Sequence, residues 1–204
     1  MSRSAAPVSE RSQQVVLVRH GETEWSRTGR HTGLTDIPLT DLGRRQAGAV
    51  GAELAGRRFA LVLTSPSSRA RETAELAGYG AEAQVRDDLH EWDYGADEGR
   101  TTAEIRAERP RWTLWSDGVE RGEAIAEVAA RADRVIAELR AAGGDALVFS
   151  HGHFLRVLAA RWLGLEPADG RLFALDPATI SVLGYEHELA VVREWNAICE
   201  PEPL

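Results

Sequence analysis

Lysine is absent: all 24 basic residues of the 204-residue chain are arginine. Any mechanism built on a lysine nucleophile or a Schiff base is thereby excluded. Cysteine occurs once, as Cys199, so an internal disulfide is excluded too. No apolar run approaches the roughly 20 residues of a membrane-spanning helix, and nothing resembles a signal peptide. These absences predict a cytoplasmic protein with no membrane partner. Positive charge is also short. The 24 arginines face 32 acidic residues, a net charge of −8, which argues against nucleic acid as a partner. What remains is ordinary for a globular chain, 43% apolar and 27% charged. At this length one α/β domain is expected over residues 12–198, with 1–11 and 199–204 as flexible tails. A homodimer is left open.

Three short apolar runs, Val15 to Val18, Leu61 to Thr64 and Ala146 to Phe149, read as strands buried on both faces. Thr40 reads as the N-cap of a helix running to about Arg57. Pro66 suits the first turn of the next helix, which carries Arg69. Further helices are expected over Thr101 to Glu108, from Glu123 to the Gly143-Gly144 stop, and over Phe154 to Leu163. Glu24 to Leu39 lacks a helical period and reads as a long ordered loop, and Trp112 to Gly122 as irregular. A short strand near Ala83 to Val85 and two more at Thr179 to Gly184 and Ala190 to Trp195 complete the set. The alternation of strand and helix predicts an α/β fold, a three-layer α/β/α sandwich on a mostly parallel central sheet.

The buried strands end in Arg19-His20-Gly21, in Ser65 to Arg69 and in Ser150-His151-Gly152-His153. In a parallel sheet these ends open onto one edge, where ligands bind. Two arginines and at least two histidines meet there, beside helix N-termini that favour an anion. In a chain of net charge −8 such a pocket needs a reason, and phosphate matches the arginine fork.

Arg19-His20-Gly21-Glu22-Thr23, Leu39-Thr40 with Gly43 and Gln46-Ala47, Ser65 with Arg69-Ala70 and Thr73-Ala74, Glu91, and Ser150-His151-Gly152 resemble the histidine phosphatase, or phosphoglycerate mutase-like, superfamily. The resemblance implies a metal-independent phosphatase without a cofactor. His20 would be the nucleophile that forms a phosphohistidine. Arg19, Arg69 and His151 would cradle the phosphoryl oxygens, and Glu91 would serve as acid, then base. Where many members carry asparagine this chain has Ser26, a shorter donor. The variants around His31-Thr32-Gly33, Glu91 to Gly99 and Trp115 to Gly118 resemble sedoheptulose bisphosphatase-type enzymes and bacterial acid phosphatases. That branch implies a small phosphorylated metabolite as substrate, with Ser26, Thr32, Gly33, Gly152, Trp92 and Tyr94 on the substrate side.

Other readings compete. His20, His151 and His153 could form a zinc site, although nearby arginines repel a dication. Trp92, Tyr94 and Trp115 could be core or rim. Arg71 and Arg156 suit structural salt bridges, and His153 suits packing or the loop. A phosphoglycerate mutase would need further basic residues for a second anion, which the acidic stretch Asp93 to Glu98 opposes. A protein phosphatase is a further reading. A silent phosphate-binding module would have no use for Glu91.

Overall fold

Four aliphatic residues between polar neighbours make the first strand, β1 (Val15–Arg19), and it lies inside a six-stranded sheet. The computed structural model describes residues 13–200; the tail expected at 1–11 and residues 201–204 lie outside the described residues. The other strands are β2 (Leu61–Thr64), β3 (Gln84–Val85), β4 (Ala146–Ser150), β5 (Thr179–Glu186) and β6 (Leu189–Ile198). Their order is β3-β2-β4-β1-β5-β6. β1 is parallel to β4 and antiparallel to β5, and only β5 runs against the rest among the described strands. The sheet is therefore mostly parallel, as expected.

Helices cover both faces, which is why the central strands are apolar at successive positions rather than at alternate ones. Val15 and Leu17 pack with Ala146 and Val148 under α6 (Ile125–Ala141) and α7 (Gly152–Trp162). Val16 and Val18 pack with Leu147 and Phe149 under α2 (Asp41–Glu53) and α3 (Ser68–Leu76). Each such side chain, fully buried, stabilises the fold by about 1.5–3 kcal/mol. The arrangement is the three-layer sandwich. Among the described residues no helix is long and apolar enough to cross a membrane.

Thr40 caps α2 as its sequence suggests, its hydroxyl accepting from Gly43 N at 3.0 Å. Thr101 closes a capping box with Glu104 at the start of α4 (Thr102–Glu108). Three local expectations need correction. Pro66 precedes Ser67, the N-cap of α3, and so stands outside the first turn. α7 starts at Gly152, two residues before the expected Phe154. The loop after β1 holds a turn of helix, α1 (Glu24–Arg27), and the aromatic stretch holds another, α5 (Leu114–Asp117).

One contact sets the position of the loop that follows β1. A Cβ on Gly21 would stand 2.4 Å from Gly43 O, and one on Gly43 would stand 2.2 Å from Glu22 O. The strand end and the first turn of α2 thus meet backbone to backbone, which only glycine permits. Gly21 N also donates to Thr73 Oγ1 of α3 at 3.1 Å.

Candidate active site

The register of β1 on β4 sets Arg19 opposite Ser150, and His20 N donates to Ser150 O at 3.0 Å. His20 and His151 therefore leave adjacent strands side by side, their ring centroids 5.2 Å apart. His20 Nδ1 lies 2.8 Å from Gly21 O. A carbonyl only accepts, so Nδ1 carries the proton and Nε2 keeps a bare lone pair. That nitrogen has no partner among the described residues, and His20 lines a cavity of about 230 Å³. Burial, with Arg69 and Arg19 close by, holds the imidazole pKa well below its usual value. The His20 imidazole is therefore neutral at pH 7.

Three cationic or N–H-bearing groups surround it. Arg69 is fully buried and donates to Thr35 O at 3.0 Å, Gly33 O at 2.9 Å and Thr32 O at 3.3 Å. Its nearest carboxylate, Asp36, is 4.0 Å away. Arg19 donates to Leu175 O and lies against Gly152, where a Cβ would stand 3.3 Å from the guanidinium carbon. His151 is fully buried, with Nε2 2.7 Å from Ser65 Oγ. Burial lowers the pKa of all three. Among the described residues, three buried side-chain nitrogen or oxygen atoms lack a hydrogen bond: Arg19 Nε, Arg69 Nε and His151 Nδ1. An unpaired buried donor costs about 1–3 kcal/mol, so native structures leave few without a reason.

Glu91 stands at the start of α7 and supplies its missing cap. Its Oε1 accepts from Phe154 N at 2.8 Å and Trp92 N at 2.9 Å, and its Oε2 accepts from His153 N at 2.9 Å. The amides of the second and third helical residues are thus satisfied by a carboxylate from another segment, which explains the early start of α7. Oε2, with one bond, keeps a lone pair free. Glu91 lines the His20 cavity and also a second one, of about 250 Å³, beside His151, Gly33 and Asp36.

The remaining expected residues separate. Gly152, Thr32 and Tyr94 line the His20 cavity. Ser26 lines it too, but its hydroxyl donates to Thr23 O at 3.1 Å and accepts from Thr23 N at 2.9 Å. Its oxygen caps α1 and its proton is committed to Thr23 O. Gly33 lines the second cavity and acts through its carbonyl, which holds Arg69. Trp92 is corrected outright: it is fully buried, donates to Glu123 O at 2.7 Å and packs on Trp115 in the core. Arg156, expected to be structural, lines the cavity while stacking over Trp115 at 4.6 Å. Arg30, His31 and Thr102 also line it; the histidine in a glycine-bearing loop was the one available signal.

The acidic stretch is not presented to the cavity. Asp97 is buried against Arg109 and Arg100, Glu98 accepts from Gly33 N and Thr35 N, and Asp93 accepts from Gly95 N. The charge argument against a second anionic group therefore loses these residues. Among the described residues no three His, Cys, Asp or Glu side chains are grouped to hold a metal ion.

A model of the histidine phosphatase superfamily (branch 1) matches residues 15–198. An acid phosphatase of Mycobacterium tuberculosis is 40% identical over 203 residues, spanning 95% of this chain and 97% of that protein. Sedoheptulose 1,7-bisphosphatase of Saccharomyces cerevisiae is 38% identical over 183 residues, 74% of this chain and 67% of that protein. The solved structure of a Mycobacterium tuberculosis open reading frame superposes with a TM-score of 0.89 at 40% identity, covering 93% of this chain and 100% of that one.

Proposed function

The chain belongs to the histidine phosphatase superfamily, and we propose from that premise that it hydrolyses small phosphomonoesters, sugar phosphates or bisphosphates, through a phosphohistidine at His20. It is a phosphoric monoester hydrolase of small phosphorylated substrates, in line with the acid phosphatase and bisphosphatase it resembles at 40% and 38% identity. In the first step the Nε2 lone pair of His20 attacks phosphorus in line with the leaving oxygen. The P–O bond breaks, and Glu91 gives its proton to the departing alkoxide. In the second step the Glu91 carboxylate takes a proton from water, whose oxygen attacks phosphorus and breaks the P–N bond. Phosphate leaves, and His20 returns to its neutral form.

The observation that carries this reading is the identity of the three unpaired buried atoms. Arg19 Nε, Arg69 Nε and His151 Nδ1 belong to the groups that the mechanism asks to hold the equatorial oxygens. A phosphoryl group would complete their hydrogen bonds and, more strongly, take up their charge as it shifts in the transition state. The depressed His20 pKa keeps the nucleophile unprotonated in mild acid, which accords with the acid phosphatase relative.

The test is to trap the intermediate. Wild-type protein quenched in alkaline denaturant during turnover is expected to carry phosphate on His20. His20→Ala is expected to carry none and to lose activity by on the order of 10⁴-fold or more. Wild-type turnover by the alanine variant would remove the covalent mechanism. No step uses a metal, so EDTA is expected to leave kcat unchanged; activity lost to the chelator and restored by zinc would remove that part.

A further inference from the structure

The far wall of the His20 cavity carries two more histidines, His31 and His153. Their rings are parallel within 9° at 6.1 Å between centroids. The fold sets the proton on each. His31 Nδ1 lies 2.8 Å from Arg100 O, so Nδ1 must donate and Nε2 is an acceptor. His153 Nδ1 lies 2.6 Å from the Tyr94 hydroxyl. Burial pushes the Tyr94 phenol pKa well up and the His153 imidazole pKa well down, so the one is protonated and the other neutral. Among the described residues the Tyr94 hydroxyl has no other partner; with Tyr94 as donor to Nδ1, the His153 proton sits on Nε2. Among the described residues neither Nε2 has a partner, and neither is sealed from the cavity.

The two rings thus face the cavity with opposite chemistry, one acceptor and one donor. A phosphate or carboxylate oxygen satisfies His153 but is repelled by the His31 lone pair, and an ammonium does the reverse. A hydroxyl satisfies both, because it donates and accepts at one atom. Both rings line the one cavity with their centroids 6.1 Å apart, so a single ligand there lies beside both histidines.

We propose that His31 and His153 are specificity-determining residues that hold a hydroxyl of the leaving group, His31 Nε2 accepting its proton and His153 Nε2–H donating to its oxygen. The protein on this reading selects phosphates of polyols over those of plain alkyl chains. Tyr94 is a positioning residue that sets the His153 tautomer. The inference rests on the phosphatase reading above.

The experiment compares glycerol 3-phosphate with n-propyl phosphate, which has the same carbon chain without the hydroxyls. Each is measured as a substrate or as a competitive inhibitor of p-nitrophenyl phosphate hydrolysis, so a ratio of specificities is read either way. Wild type is expected to favour glycerol 3-phosphate by about 10–100-fold, the worth of unpairing one or two buried groups. His31→Phe, of similar size, is expected to bring that ratio near one. His31→Gln, whose amide oxygen reaches the place of Nε2, is expected to recover much of it. Tyr94→Phe is expected to reduce it by a smaller factor. A purely structural role would lower both specificities and leave the ratio unmoved. A wild-type ratio near one, or an unchanged ratio in folded His31→Phe or His31→Gln, overturns the inference. Failure of wild type to hydrolyse p-nitrophenyl phosphate would instead overturn the phosphatase reading.

Discussion

Two buried arginine–glutamate sets lie close together in this molecule, one closed and one held apart. Arg131 in α6 places all five of its N–H groups: on both oxygens of Glu123 at 2.6 and 2.8 Å, and on the carbonyls of Asp88, His90 and Glu91. Its guanidinium also lies over the Phe154 ring at 4.6 Å. Arg69, just as buried, meets only carbonyls and leaves Nε empty. Glu91, its nearest analogue of Glu123, accepts only backbone amides. A buried cation with every donor filled is framework. One with a donor to spare, near a carboxylate it does not touch, is a place kept for something else. The two sets are also coupled: Arg131 grips the carbonyls on either side of Glu91 and so fixes the segment that carries it.

The comparison can be broken in three places. The largest effect belongs to Glu91→Gln, which keeps an oxygen for the helix amides but cannot cycle a proton. Hydrolysis of an alkyl phosphate is expected to fall by about 10²–10⁴-fold. With p-nitrophenyl phosphate the leaving group needs no proton, so a pre-steady-state burst should persist while phosphoenzyme accumulates. Equal slowing of the burst for good and poor leaving groups would make Glu91 a cap and nothing more.

The next contrast sets Arg69→Gln against Arg131→Met. The first is expected to cost about 10²–10³-fold in kcat/KM and to abolish the rise in Tm that added phosphate produces. The second is expected to lower stability by about 3–5 kcal/mol, because Glu123 is left buried and unpaired. Adding Glu123→Leu should recover most of that loss. If Arg69→Gln proved as destabilising and left phosphate binding intact, the distinction between the two sets would fall.

The most gradual effect, spread over the acid range, is on pH. His20, His151 and His153 are held neutral by burial, their folded pKa values below the unfolded value. The unfolded chain then binds more protons in acid, so stability is fully present above about pH 6.5 and is lost as pH falls below it. Each histidine contributes at most about 1.4 kcal/mol per pH unit. Urea midpoints at pH 7, 6 and 5 should decline in that order; a flat series would mean these histidines are not buried neutral.

Much of this was legible in one dimension. Strand ends announce themselves when an apolar run stops at Arg19-His20, at Ser65 or at Ser150-His151, and the parallel sheet does the gathering. Caps are equally local, as Thr40 and Thr101 show. What could not be read is where a side chain spends its bonds. Ser26 sits at the right place for a ligand, yet its hydroxyl closes the cap of α1. Trp92 neighbours Glu91, yet its ring lies in the core while its amide donates to Glu91 Oε1. The negative charge of Asp97 and Glu98 is plain in composition, but its neutralisation by Arg109 and by loop amides is a tertiary fact. Arg131 carries no local mark at all, since its hydrogen-bond partners lie on two other segments, Asp88 to Glu91 and Glu123.

The central position of β1 has a consequence for how the protein is made. Both neighbours of β1 in the sheet, β4 and β5, belong to the C-terminal part of the chain. At translation speeds of ~5–20 residues per second, the roughly 130 residues separating β1 from β4 correspond to on the order of ten seconds. Throughout that interval Val15 to Val18 have emerged without their native strand partners, and His20 next to them has no neighbouring histidine. The nascent chain therefore carries an unpaired apolar strand and an incomplete site until β4 and β5 have been made. Chaperone demand on the ribosome and late onset of activity are two faces of the same topology.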